Sequence, residues 1–151
     1  MIRYAAKEDV PQVLSMMELV KEDFAGYIEK EFLEALYGAI DRKEALLEEE
    51  HGRLAGMISF SYQEKEITFL AVMPEFRRRG VGKRLIEQVT ECFEDGETLQ
   101  VITFREGDPK GIAARRCYHS CGFSDAEELE VFDYPCQRMV LSVKKGTGIC
   151  G

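Results

Sequence analysis

Histidine is scarce in this chain, and cysteine shows no pattern. The two histidines, His51 and His119, stand far apart, and the five cysteines follow no zinc spacing. No metal site is therefore expected. An odd cysteine count without a disulfide-like pattern fits reduced thiols and a cytoplasmic location. A signal peptide is not visible, because the N-terminus is already polar at Lys7-Glu8-Asp9. No apolar run is long enough to span a bilayer. Positive charge is in deficit, with a formal net charge of -8, which weighs against a protein built mainly to bind nucleic acid. Internal repeats and low-complexity tracts are lacking too. The 151 residues suit a single domain over 1–143, with 144–151 as a loose tail that offers little to bury.

The informative stretch runs from Glu66 to Phe93. Residues 66–73 mix β-branched, aromatic and aliphatic side chains as a strand does, with Glu66, Thr68, Leu70 and Val72 expected on one face. Pro74 ends the strand. Val81, Leu85, Val89 and Phe93 recur every four residues, which predicts a helix that Gly96 closes. The turn between them holds Arg77, Arg78, Arg79, Gly80 and Gly82, with Lys83 and Arg84 just beyond.

A helix start presents N–H groups without internal partners at the positive end of the helix dipole. Glycines there let a phosphate approach closely. Basic side chains around the same turn make a pyrophosphate the natural ligand. The P-loop pattern fails, because position 77 is arginine and Arg84 stands where a magnesium-binding Ser or Thr is required. The dinucleotide fingerprint fails at its third glycine, where Leu85 stands. What remains is Arg77-x-x-Gly80-x-Gly82 entered from a strand. This resembles the acyl-CoA signature of the GNAT superfamily of N-acetyltransferases, and Leu70-Ala71-Val72-Met73-Pro74-Glu75-Phe76 is similar to the strand that precedes it there.

The other elements predict an α/β domain. A short strand at 2–5 precedes two helices with apolar stripes, Val10, Val13, Leu14, Met17 and Phe24, then Ile28, Phe32, Leu36 and Ile40. Strands at 45–49 and 54–62 flank the turn at His51-Gly52. A strand at 99–104 follows the long helix and makes a parallel pair with the central strand. A helix at 112–121 ends at Gly122, and a hairpin of 129–133 and 137–143 turns around Tyr134-Pro135. The resemblance implies a mixed, mostly antiparallel sheet flanked by helices, with the parallel pair splayed at the CoA site.

A second motif lies at Ala114, Tyr118, Gly122 and Phe123, the first three four residues apart. It resembles the second motif of the same superfamily, N-x-x-A-x-x-x-Y-x-x-x-G-F. It departs at Gly111, where the pattern has an asparagine that helps hold the CoA arm. The resemblance implies that Leu70, Ala71 and Val72 pair with the pantetheine arm and that Arg77, Arg78, Arg79, Gly80, Val81, Gly82 and Lys83 hold the pyrophosphate. Ala114 and Tyr118 would complete the cofactor site.

An amine attacks a thioester only when neutral, and an alkyl amine has a pKa of about 10.4. A base must take its proton, directly or through water. Glu66 is the first candidate, with Glu64 and Tyr62 behind it. A backbone N–H in the central strand, that of Val72, is expected to stabilise the oxyanion. The superfamily pattern places Tyr118 to protonate or hydrogen-bond the leaving thiolate. Phe24 and Tyr27 are candidate acceptor contacts. Cys117 and Cys121 read as buried thiols, since His119 lies between them on another helix face.

The reading is thus an acetyl-CoA-dependent N-acetyltransferase with a small-molecule or peptide amine acceptor. No membrane contact is expected, nucleic acid is disfavoured, and the protein is a monomer or homodimer. Two alternatives stay open: a non-catalytic acyl-CoA-binding module of the same fold, and a nucleic-acid-binding protein using Arg77–Arg79.

Overall fold

The structure is a computed structural model, which describes residues 1–144. The expected tail therefore lies, beyond Lys144, outside the described residues. Seven strands form one sheet in the order β1-β2-β3-β4-β5-β7-β6. They are β1 (Ile2–Tyr4), β2 (Ala45–Glu50), β3 (Arg53–Ser61), β4 (Glu66–Val72), β5 (Thr98–Phe104), β6 (Ser124–Val131) and β7 (Tyr134–Ser142). The helices are α1 (Val10–Val20), α2 (Glu29–Asp41), α3 (Val81–Thr90) and α4 (Ile112–Ser120). Every strand pair is antiparallel except β4–β5. The expected mixed, mostly antiparallel sheet is therefore present.

Two apolar layers cover the sheet. One joins α3 and α4 to it through Val81, Leu85, Ile86, Val89, Tyr118 and Phe123, with Ile58, Phe60, Ile67, Leu99 and Val101 from the strands. The other buries Val13, Met16, Met17 and Leu36 of α1 and α2 against Leu47, Met57 and Ala71. The sheet is thus apolar on both faces, which explains why β3 reads as a nearly continuous hydrophobic run.

The parallel pair is the feature that makes a site. β4 and β5 pair only at Glu66↔Gln100 and Ile67↔Val101, then part. A β-bulge helps to separate them: Ser59 faces Phe69 and Phe60 faces Ile67, so Thr68 is an extra residue in β4. The far end of β5 is held from the other side. Arg115, buried in α4, donates to the carbonyl of Phe104 at 3.2 Å and to both carboxylate oxygens of Asp125 at 2.9 and 2.8 Å.

Three sequence expectations shift. The helix that Gly96 was to close stops at Thr90, and two tight turns bring Phe93 back into the core. Phe24 is not on α1, because a short 3-10 turn at Lys21–Asp23 intervenes and carries its ring to Phe69. The last hairpin turns at Phe132-Asp133, both at positive φ (52° and 60°), and not at Tyr134-Pro135. Pro135 is tolerated within β7 because it lies beyond the last β5 pair at Cys136. The turn expected at His51-Gly52 is present, and both residues have positive φ (54° and 76°).

Candidate active site

The parting of β4 from β5 opens a cleft of about 790 Å³. Its floor is the exposed edge of β4. Met73 donates its N–H to Ala55 of β3. Backbone directions alternate along a strand, so Leu70 and Val72 turn their N–H and C=O toward the open side. Arg77 confirms that direction, since its Nε donates to the carbonyl of Val72 at 3.3 Å. A chain segment entering the cleft would find an unpaired strand edge.

One end of the cleft is basic. Arg77, Arg78, Gly80, Val81, Gly82 and Lys83 line it, and Lys110 and Arg116 add charge from the α4 side. Arg78 and Gly80 both have positive φ (65° and 79°), which folds the backbone tightly before α3 begins. Arg79 does not join this group. Its guanidinium lies over the ring of Phe76, 5.5 Å from the centroid, and it does not line the cleft. Arg84 is also committed elsewhere: Nε and Nη2 donate to the buried carboxylate of Glu48 at 3.0 and 2.6 Å. The basic turn is therefore smaller than the sequence suggests, and α4 makes up the difference.

The glycines serve the fold before they serve a ligand. A Cβ on Gly82 would lie 3.1 Å from Sγ of Cys117 and 3.7 Å from Cγ2 of Val72, so glycine lets α3 close against α4 and β4. A Cβ on Gly111 would lie 2.9 Å from Cβ of Phe104. The motif asparagine absent at Gly111 thus has no room in this chain. Asp108 caps this turn instead, accepting from the N–H of Lys110 at 3.0 Å.

Tyr118 and Ala114 reach the cleft from α4. Tyr118 is buried, packs edge-on to Phe123 and makes no hydrogen bond with its hydroxyl among the described residues. Burial, with the neighbouring Cys117 and Cys121 thiols, pushes its phenol well above the ordinary tyrosine range. Cys117 also lines the cleft, and burial raises its thiol. His119 instead faces Asp125, with Nε2 3.3 Å from its carboxylate.

Glu66 is half-buried in the cleft wall. The expectation that it shares a face with Leu70 and Val72 is wrong, because the bulge at Thr68 breaks the alternation. Ile67, Leu70 and Val72 pack on the α3–α4 layer, while Phe69 and Ala71 pack on the α1–α2 layer. Glu66, adjacent to Ile67, therefore faces the α1–α2 side. Desolvation pushes its carboxyl above the ordinary range, Arg138 works against this, and Glu64 reinforces it. The reserve candidates Glu64 and Tyr62 do not line the cleft. Tyr62 packs against Phe60 and Phe93 instead.

The α1–α2 end of the cleft is aromatic. Phe24 stacks on Phe69 with centroids 4.9 Å apart, and Phe69 meets Phe32 at 5.2 Å. Tyr27 packs on Phe32 behind this wall rather than in the cleft, and its hydroxyl is buried without a hydrogen-bond partner. Phe104 and Val131 form the facing wall. Lys110, Arg116 and Phe104 went unnoticed as site residues in the sequence. The proximity of the first two to Ala114 was the available signal.

The sequence profile of the acetyltransferase (GNAT) family matches residues 13–123. One relative, the UPF0157 protein YqkA of Bacillus subtilis, is 32% identical over 95 residues, which is 62% of this chain but only 25% of that protein. Among solved structures, Ard1 from Thermoplasma volcanium superposes with a TM-score of 0.76 at 18% identity, over 96% of this chain and 98% of that one. The ribosomal-protein-S18-alanine N-acetyltransferase of Escherichia coli gives 0.71 at 17% identity, over 100% and 98%. The protein yncA of Salmonella typhimurium, solved with its cofactor acetyl-CoA, gives 0.70 at 18%, over 99% and 98%. These structural likenesses establish the fold. With the profile match over most of its length, the chain belongs to the GNAT acetyltransferase family.

Proposed function

We propose that the protein transfers an acetyl group from acetyl-CoA to a primary amine, by direct attack with both substrates bound. The observation that carries this reading is the open edge of β4 beside the basic start of α3, within one cleft that also holds Glu66 and Tyr118. The pyrophosphate of acetyl-CoA would lie against Arg78, Lys83 and the first N–H groups of α3. The pantetheine arm would pair with the outward N–H and C=O groups of Leu70 and Val72 as an added strand.

Four steps complete the chemistry. Glu66, with its raised pKa, takes a proton from the ammonium, directly or through water. The neutral nitrogen forms a bond to the thioester carbon, and an outward N–H of β4 stabilises the oxyanion. The carbon–sulfur bond then breaks. Tyr118, whose elevated pKa keeps it protonated, gives its proton to the departing thiolate or hydrogen-bonds it, and the nitrogen's surplus proton passes to water as the amide forms. A cytoplasmic setting suits the four free thiols among the described residues.

Calorimetric titration with acetyl-CoA tests the donor site. Wild type should bind, and Arg78→Glu/Lys83→Glu should weaken binding at least about tenfold through lost charge-assisted contacts. Equal binding by both proteins would remove the pyrophosphate assignment.

A further inference from the structure

The donor end of the cleft is accounted for by the reading above, but the other end has its own character. Two of its features bear on the acceptor. The first is charge. Among the described residues only two carboxylates, Asp23 and Glu66, line the cleft. Asp23 faces Arg77 at 3.8 Å. The Glu66 carboxylate accepts no hydrogen bond and forms no ion pair among the described residues, with Arg138 acting on it only at longer range, so it is the one cleft carboxylate left for a ligand cation. A second buried ammonium would have no partner and would be strongly disfavoured. The rest of this end is mostly apolar, with Phe24, Phe69, Ile102, Phe104 and Val131, and Thr68 and Thr103 are uncharged and offer an ammonium no counter-charge.

The second feature is a bridge. The α1–α2 connection supplies Phe24 and Ala25 to one wall, and the β6–β7 hairpin supplies Val131 to the other. The next residue of each segment, Gly26 and Phe132, meets its counterpart. A Cβ on Gly26 would fall 2.5 Å from Cδ2 of Phe132, so the ring occupies the space that any other residue's side chain would need. Phe132 is otherwise 70% exposed. An aromatic ring held out at a hairpin tip, touching a glycine across the cleft, joins the two walls at their rim. An extended peptide lying between these walls would have to displace it.

We propose that the acceptor is a compact primary monoamine with an apolar body, held between the Phe24–Phe69 and Phe104–Val131 walls. The Phe132–Gly26 bridge selects against chain-like acceptors. This rests on the acetyl-transfer reading, so the test separates the two.

Amine-dependent release of CoA thiol is measured with 2-phenylethylamine, spermidine and a hexapeptide with a free N-terminal alanine, alongside calorimetry with acetyl-CoA. Wild type should favour 2-phenylethylamine by at least about tenfold in kcat/KM, the scale on which apolar pockets discriminate. Phe132→Ala, an exposed position, should reduce that preference severalfold, mainly through KM for 2-phenylethylamine and a gain with the peptide. Preference for spermidine or the peptide overturns the proposal, as does a preference unchanged in Phe132→Ala. Acetyl-CoA binding without transfer to 2-phenylethylamine overturns the acceptor class alone. Failure to bind acetyl-CoA overturns the acetyl-transfer reading and this proposal with it.

Discussion

Gly82→Ala separates the packing role of the second motif glycine from any role in ligand approach. The added Cβ would lie 3.1 Å from Sγ of Cys117. Ordinary apolar contacts lie at about 3.5–4.0 Å, so α3 and α4 must part by about half an ångström. Overpacking of this kind costs about 1–3 kcal/mol. Alanine also improves helix propensity over glycine by about 1 kcal/mol, so the net loss should be about 0–2 kcal/mol. Removing the sulfur removes the clash. In a Cys117→Ala background, Gly82→Ala should therefore stabilise the protein by up to about 1 kcal/mol, from propensity alone. The coupling between the two sites is then about 1–3 kcal/mol, read from urea midpoints in a double-mutant cycle. Additivity within about 0.5 kcal/mol would refute the packing argument. Calorimetry on the same four proteins tells whether glycine is also needed for ligand approach. If it is, Gly82→Ala weakens acetyl-CoA binding equally in both backgrounds.

Three further outcomes follow from other residues. Glu66→Gln should lower kcat by about 10²-fold or more and abolish the acidic limb of the pH profile, which in wild type lies above the ordinary glutamate range because desolvation raises this carboxyl. The native state holds that proton more tightly than the unfolded chain, so Glu66 lowers stability as pH rises through its folded pKa. Glu66→Gln should therefore match or exceed wild type in Tm at neutral pH, and a large Tm loss would mark a structural role instead. Tyr118→Phe should lower kcat about tenfold or more while leaving acetyl-CoA affinity nearly intact, and an unchanged kcat would remove it from the chemistry. Arg84→Met should destabilise by about 3 kcal/mol by leaving Glu48 buried without its guanidinium partner. Glu48→Met in addition should restore much of that loss, as urea denaturation would show.

The legible parts of this chain were those where local physics dominates. The strand, proline, turn and helix from Glu66 to Thr90 follow from alternation, a missing donor and four-residue spacing. The parallel pair follows from strand–helix–strand order. The bulge at Thr68 was not legible, because it arises where β4 must pair with β3 on one side and leave β5 on the other. That single extra residue turned Glu66 to the opposite face of the sheet. The commitment of Arg84 was hidden for a related reason: Glu48 lies far away in the sequence and reaches it only through the tertiary fold, whereas the stacking of Arg79 on Phe76 is local and depends on how the turn folds. Gly111 read as a lost contact in the sequence, and the nearby Phe104 shows it as a steric necessity. The contact between Gly26 and Phe132, more than a hundred positions apart, has no local signature.

Initial-rate kinetics of CoA-thiol release, with acetyl-CoA and 2-phenylethylamine varied together, tests the central claim most directly. Direct attack in a ternary complex predicts release that depends on the amine, with intersecting double-reciprocal lines. Parallel lines would point to an acetylated enzyme, with Cys117 in the cleft as the first residue to test. Binding of acetyl-CoA with no amine-dependent release from any primary amine would contradict catalysis and leave a protein that only binds its ligand.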